Sequence, residues 1–254
     1  MSVYSMFFSP TGGTEKVMDI LSEELSVEKS IDLSILDDNY GNYRFESDDV
    51  CLIGVPSYGG RVPGIVLERI KGMTVDGAAA VLVVVYGNRA YDDTLLELKE
   101  ELKACGFQVK AAVAAVAEHS IMHRFGKGRP DRQDEGELRK YGKDLKKLID
   151  DKENTGDLHV PGNSPYREYN GVPFKPKANK SCTQCGVCAK KCPVGAIPKN
   201  NPASVDAEKC ISCMRCVTIC PHNSRKVNKF MLFLASQKMK KNCSSRKENQ
   251  LFIS

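Results

Sequence analysis

Val3-Tyr-Ser-Met-Phe-Phe-Ser-Pro-Thr-Gly-Gly-Thr14 decides how the front of the chain is read. A β-rich apolar run ends in a turn of glycines and hydroxyl side chains. A helical pattern follows at once, with Val17, Leu21 and Leu25 on one face. Such a strand-to-helix turn gathers backbone N–H groups and hydroxyls around a helix N-terminus, where an anion can be held without Lys or Arg. The turn matches neither G-x-x-x-x-G-K-[ST] nor G-x-G-x-x-G, so it is neither a P-loop nor a dinucleotide turn.

Outward from that turn, short apolar runs alternate with amphipathic stretches as far as Asp151, the signature of a parallel sheet with crossover helices. Strands are expected at Val3–Ser9, Ser30–Leu36, Val50–Ser57, Ala78–Gly87 and Phe107–Ala117. Further helical faces are marked by Val66, Leu67 and Ile70, by Leu95, Leu98 and Leu102, and by Leu138, Tyr141, Leu145 and Leu148. Open α/β sheets bind ligands at the carboxyl ends of their strands. That rule singles out Pro56-Ser-Tyr-Gly-Gly-Arg61 and Tyr86-Gly-Asn-Arg-Ala-Tyr-Asp-Asp93. The long basic loop His119–Asp131 should emerge on the same edge, to cover a ligand, meet a neighbouring module or simply run over the surface.

A Pro- and Gly-rich stretch without periodicity, residues 155–178, reads as a linker or a strap over a neighbouring surface. Beyond it lie eight of the chain's 11 cysteines. They form a repeat at an offset of 28 residues, Cys182-Thr-Gln-Cys-Gly-Val-Cys-Ala-Lys-Lys-Cys-Pro193 against Cys210-Ile-Ser-Cys-Met-Arg-Cys-Val-Thr-Ile-Cys-Pro221. Each copy is C-x₂-C-x₂-C-x₃-C-P, in which the fourth cysteine ligates the other of two iron–sulfur clusters. Crossing the copies groups Cys182, Cys185, Cys188 and Cys220 in one set, and Cys210, Cys213, Cys216 and Cys192 in the other. Structural zinc also takes four thiolates, but it usually draws on C-x₂-C pairs.

The cysteine segment resembles the two-cluster [4Fe–4S] ferredoxins, and the front segment resembles the flavodoxins, whose phosphate loop has the same Ser/Thr-x-Thr-Gly-x-Thr form. The whole chain resembles a family of flavodoxin–ferredoxin fusions of anaerobes, a likeness that includes Gly128-Arg-Pro-Asp131 and the Pro-rich strap. The fold expected is a flavodoxin-like doubly wound five-stranded parallel sheet, residues 1–154, and a small α+β two-cluster domain, residues 179–225. A basic helix and frayed tail, residues 226–254, would follow. The resemblance implies FMN, with Ser9, Thr11, Gly12, Gly13 and Thr14 at its phosphate. Ser57, Tyr58, Gly59, Gly87, Asn88 and Tyr91 would lie about its ring, Tyr58 and Tyr91 flanking it.

Charge is unevenly spread: residues 1–178 carry 23 bases and 29 acids, whereas residues 225–254 carry eight bases and one acid. The basic end carries no nucleic-acid motif, and its interleaved Phe230, Leu232, Leu234 and Met239 suit a helix docked on an acidic surface. Lys190, Lys191 and Lys199 read as solvated surface. The longest apolar run without charge, Ala78–Tyr86, is too short for a membrane span. The opening residues lack a positive, cleavable leader, so the cytoplasm is the expected compartment. Cys51, Cys105 and Cys243 are expected to be free buried thiols, and no catalytic side chain is singled out. A carrier passing electrons between FMN and two [4Fe–4S] clusters, with redox proteins as partners, is the leading functional expectation. An FMN-dependent reductase of a small acceptor such as a quinone comes next, and a non-catalytic iron–sulfur binding protein after that.

Overall fold

The computed structural model describes residues 1–151 and 156–253, so the boundary expected at residues 154 and 155 lies outside the described residues. The front segment runs β1 (Val3–Phe7), α1 (Gly13–Ser22), β2 (Val27–Asp32), β3 (Arg44–Phe45), β4 (Val50–Pro56), α2 (Gly64–Lys71), β5 (Thr74–Val75), β6 (Ala79–Tyr86), α3 (Thr94–Ala104), β7 (Gln108–Val116) and α4 (Arg132–Asp150). The rest supplies β8 (Lys177–Ala178), α5 (Val187–Lys190), α6 (Arg215–Thr218), β9 (Arg225–Lys226), α7 (Lys229–Cys243) and β10 (Gln250–Ile253).

The main sheet has the order β10-β7-β6-β4-β1-β2, and all its pairs are parallel except β10 with β7. Without β10, the five parallel strands have the flavodoxin-like order 2-1-3-4-5. Strands β4, β6 and β7 are buried on both faces, which is why they read as continuous apolar runs. On one face Val17 and Leu21 of α1 meet Leu138 and Leu145 of α4. A Cβ on Gly142 would stand 2.5 Å from the Leu21 carbonyl, so the close approach of these helices needs glycine there. On the other face Val66 and Ile70 of α2 pack with Leu95, Leu98 and Leu102 of α3.

Two expectations need correction. The second strand begins at Val27, three residues before the expected Ser30, and ends at Asp32 rather than Leu36. It is an edge strand held to β1 by backbone pairing, with Glu28 and Lys29 exposed, so its apolar residues do not mark its start. The expected frayed tail is instead β10, whose Leu251 pairs with Val113 and covers the free edge of β7. Asn249 locks it: its Oδ1 accepts from the Val116 N–H at 2.9 Å, and its Nδ2 donates to Asp134 and Glu137 at 3.1 and 2.8 Å. Asp134, fully buried, pairs with Arg129, whose side chain also donates to Asn88 and to the Lys247 carbonyl.

The segment after α4 is a strap. Leu158 is fully buried in the α2/α3 core, and its carbonyl accepts from Lys99. Asp93 accepts from the Asn163 and Arg167 amides at 2.8 and 2.7 Å. Cys51 and Cys243 are buried as expected, but Cys105 is only half-buried; all three are free. Among the described residues no helix is long and apolar enough to cross a membrane. Asn249→Ala leaves the Val116 amide buried without an acceptor, so it should cost about 2 kcal/mol of unfolding free energy. Denaturant unfolding measures that loss, and hydrogen exchange should show faster exchange across β10.

Candidate functional site

The loop after β1 bends at Gly12, in left-handed conformation at φ 88°, and α1 starts at Gly13. Ser9 is pinned at both ends: its N–H donates to Ser34 Oγ at 3.0 Å and its own Oγ accepts from the Glu15 N–H at 2.9 Å. The backbone N–H groups of Thr11, Gly12, Gly13 and Thr14 have no acceptor among the described residues. Four free amides in a row at a helix N-terminus are the donors from which an anion cradle is built.

That cradle opens into a cavity of about 380 Å³ at the carboxyl ends of β1, β4 and β6. Ser9, Thr11, Gly13 and Thr14 line one part of it, and Ser57, Tyr58, Gly59 and Gly87 another. Ser57 is held by a 2.7 Å hydrogen bond with Thr94, and a turn from Tyr58 to Arg61 carries Gly59 and Gly60 at positive φ. A Cβ on Gly59 would fall 2.5 Å from the Tyr169 ring of the strap, so the strap lies directly over this turn. Burial keeps the Tyr58 phenol protonated well above its ordinary range.

Three expected ligand residues do not line the cavity. Gly12 acts through its backbone bend. Asn88 is buried beneath the tail, where its Nδ2 donates to the Cys243 and Ser245 carbonyls at 2.7 and 2.9 Å and its Oδ1 accepts from Lys247 N. Tyr91 packs edge-on against Tyr86, and its hydroxyl donates to Gln250 at 2.6 Å. The Asn88 and Tyr91 corrections share one cause, the tail from Cys243 to Gln250, which engages the loop after β6 from outside.

Wall residues that the sequence alone does not point to come from distant segments: Arg167 of the strap, Phe174, and Ile211 and Ser212 of the second cysteine copy. The loop His119–Asp131 both lines the cavity, through Ile121 and Met122, and packs Phe125 with Phe174 and Met214 of the cysteine module. His119 Nδ1 accepts from the Ile121 and Met122 amides at 3.2 and 3.3 Å, which leaves the ring proton on Nε2.

In the cysteine module the pseudo-symmetry extends to the backbone. Positive φ recurs at Gln184 and Ser212, at Gly186 and Met214, and at Gly195 and Asn223. In both copies the fourth cysteine accepts a backbone N–H four residues on, Ala196 to Cys192 and Ser224 to Cys220, each at 3.3 Å. Ser224 places its hydroxyl 3.1 Å from Cys220 Sγ, where Ala196 has nothing comparable. Despite the opposing effect of burial, these hydrogen bonds lower the Cys220 pKa to about 7, whereas burial pushes Cys213 and Cys216 up to about 12.

The eight cysteines of the module border two separate cavities. One is lined by Cys182, Cys185, Cys188 and Cys220, the other by Cys192, Cys210, Cys213 and Cys216. Among the described residues, no three His, Cys, Asp or Glu side chains converge as ligands of a single ion. Between the two cavities Arg225 is 1% exposed and donates to the carbonyls of Pro176, Pro202 and Ser204, a buried cation whose charge would offset that of thiolates in either cavity. Lys190, Lys191 and Lys199 are exposed.

The module is seated on the sheet's carboxyl edge. Buried Arg69 of α2 donates to both the Leu33 and Pro193 carbonyls. Arg215 of α6 reaches the Ser9 carbonyl at 3.5 Å and Asp32 at 4.0 Å. Ile211 lines both the anion-cradle cavity and the cavity of Cys192, Cys210, Cys213 and Cys216.

Residues 176–221 match the family described as a 4Fe-4S dicluster domain. The chain is 40% identical over 50 residues, 18% of its own length, to a selenate reductase subunit of Mesobacillus selenatarsenatis. It is 40% identical over 55 residues, 21% of its length, to one subunit of an ion-translocating oxidoreductase complex of Methanosarcina acetivorans. It spans 17% of the first relative and 21% of the second. A flavodoxin from the domain Archaea aligns over 59% of this chain and 100% of its own, with 12% identity and a TM-score of 0.41. Strand order and family match together define a flavodoxin-like domain fused to a ferredoxin-type 4Fe-4S dicluster domain.

Burial holds the His119 imidazole down to about 4, because the charged ring cannot be hydrated in the cavity wall. Nitrogen NMR of the imidazole should therefore show His119 neutral, with its proton on Nε2, from pH 8 down to about pH 5. A protonated ring at about pH 6 would contradict the wall geometry.

Proposed function

We propose that this chain is an electron-transfer protein in which FMN in the cradle cavity exchanges electrons with two [4Fe–4S] centres held by the crossed cysteine sets. The observation that carries this reading is the single-residue wall: Ile211 faces both the cradle cavity and the second thiol cavity. When bound, the flavin supplies one- or two-electron chemistry and the clusters pass electrons singly.

The chain's residues divide that work. The amides of Thr11 to Thr14 would hold the phosphate, and Ser57, Tyr58, Gly59 and Gly87 would border the ring. His119 offers an uncharged N–H donor across from Gly87, where an added Cβ would touch it at 2.8 Å. Cys192, Cys210, Cys213 and Cys216 would hold the inner centre, against the flavin cavity. Cys182, Cys185, Cys188 and Cys220 would hold the outer one, with exposed Cys185 marking where redox partner proteins approach. Arg215, between the inner thiols and the Ser9 loop, places one fixed positive charge near both.

The relatives' names, an oxidoreductase complex subunit and a reductase subunit, support a role in passing electrons. A cavity walled by the strap and by the cysteine module favours a relay over a reductase with an open substrate pocket. An open cradle with unpartnered amides argues against a degenerate site in a passive binding protein.

The test is an anaerobic reductive titration of the full chain, with flavin read optically and clusters by EPR, followed by rapid mixing. Electrons introduced at the clusters should appear on the flavin within the turnover time of an external acceptor. Clusters that stay reduced beside an oxidised flavin would overturn the relay. Ser224→Ala makes the second copy like the first and removes a donor to Cys220 sulfur. It should lower the midpoint of the outer centre by some tens of millivolts and leave the inner one in place, because hydrogen bonds to sulfur raise the potential.

A further inference from the structure

Helix α7 is fixed on one side and bare on the other. Asn228 caps it, its Oδ1 accepting from the Phe230 and Met231 amides at 3.0 and 3.1 Å. Leu232, Ala235, Met239 and Cys243 pack with Phe125, Phe174 and Met214, and buried Ser236 meets Arg124. The helix therefore cannot rotate to hide its other face. There Phe230 is 70% exposed, Met231 46%, Phe233 57% and Leu234 51%. Four large apolar side chains within two turns exceed the scattered exposure of an ordinary surface.

The charge around that face has one sign. Lys226, Lys229, Lys238, Lys240 and Lys241 have no acidic partner among the described residues. From Lys209 to Lys247 the sequence holds no Asp or Glu. Along the outward stripe the N-terminal turns are apolar and the C-terminal turns cationic, with Phe230 and Leu234 leading to Lys238 and Lys241.

We propose that α7 docks this protein on an anionic bilayer surface, with Phe230, Met231, Phe233 and Leu234 entering the interface and the lysines at headgroup level. At 15 residues, four of them lysine, the helix lies on a membrane rather than across it. A self-complementary contact between two copies would bring like-charged rims together, which disfavours a dimer through this face. A bilayer containing acidic lipids supplies both halves of the complement, an apolar depth and a layer of phosphate charge.

The experiment is co-sedimentation of the full chain, cofactors intact and under anaerobic conditions, with phosphatidylcholine vesicles and with vesicles that also contain phosphatidylglycerol. The bound fraction should rise about tenfold on the anionic vesicles and fall as salt is added. Phe230→Glu with Phe233→Glu should abolish binding, and Lys238→Gln with Lys241→Gln should weaken it and flatten its salt dependence. All four positions are exposed, so the variants should keep the visible absorption of the parent. No binding to anionic vesicles, or binding that survives the double glutamate change, would overturn the proposal. So would a concentration-dependent dimer lost in that variant, which would assign the face to a second copy. An acidic protein that competes for the face while vesicles fail to bind would assign it to that partner.

Discussion

Each half of the cysteine module is incomplete by itself. Each thiol cavity is lined by three cysteines of one tight loop and a fourth from the other copy, so Cys192 and Cys220 each stand in the wall of the opposite half. The exchange explains why both copies keep the same left-handed backbone positions even where the residue changes, as at Gly195 and Asn223. Asparagine accepts that conformation better than most side chains, so the geometry survives the substitution. Buried Arg225 ties the two cavities together, donating to the carbonyl of Pro176 in the wall of one and of Pro202 in the wall of the other.

A second dependence follows from the first. A module this small has little core of its own, and it rests on the front domain through chain segments that run both ways. The strap carries the Asn163 and Arg167 amides to Asp93 and lays Tyr169 over Gly59. Arg69 fastens Pro193 from the sheet side, and Arg215 returns the contact to the Ser9 loop. A buried cation suits this joint, since the Arg69 guanidinium satisfies two backbone carbonyls, those of Leu33 and Pro193, without a matching acid. One thiol cavity is thereby pressed on the sheet's carboxyl edge, where Ile211 lines both it and the cradle cavity.

The sequence made the parallel sheet legible because β4, β6 and β7 are buried on both faces and read as unbroken apolar runs. The hydroxyl loop was legible because its donors are consecutive, and the crossed cysteines because their spacing repeats. The strand at Val27 was displaced because an edge strand needs backbone pairing, not apolar side chains. Asn88 and Tyr91 were assigned to the ligand by their position after β6, but both are occupied by the tail, about 160 residues later. Long-range pairing of that kind leaves no periodic trace. The same holds for the wall residues Arg167, Phe174 and Ile211, each ordinary in its own neighbourhood and brought to the cavity by the fold.

The antiparallel strand beside β7 has a consequence for how the chain matures. A sheet that opens at Val3 is finished by residues 250–253, after the entire cysteine segment has been made. The front domain therefore cannot seal its edge as a newborn unit leaving the ribosome, although domains commonly fold in order of synthesis. Closure of the α/β layer waits until the cysteine segment has been made, and a chain cut short before residue 250 would keep β7 open along one side.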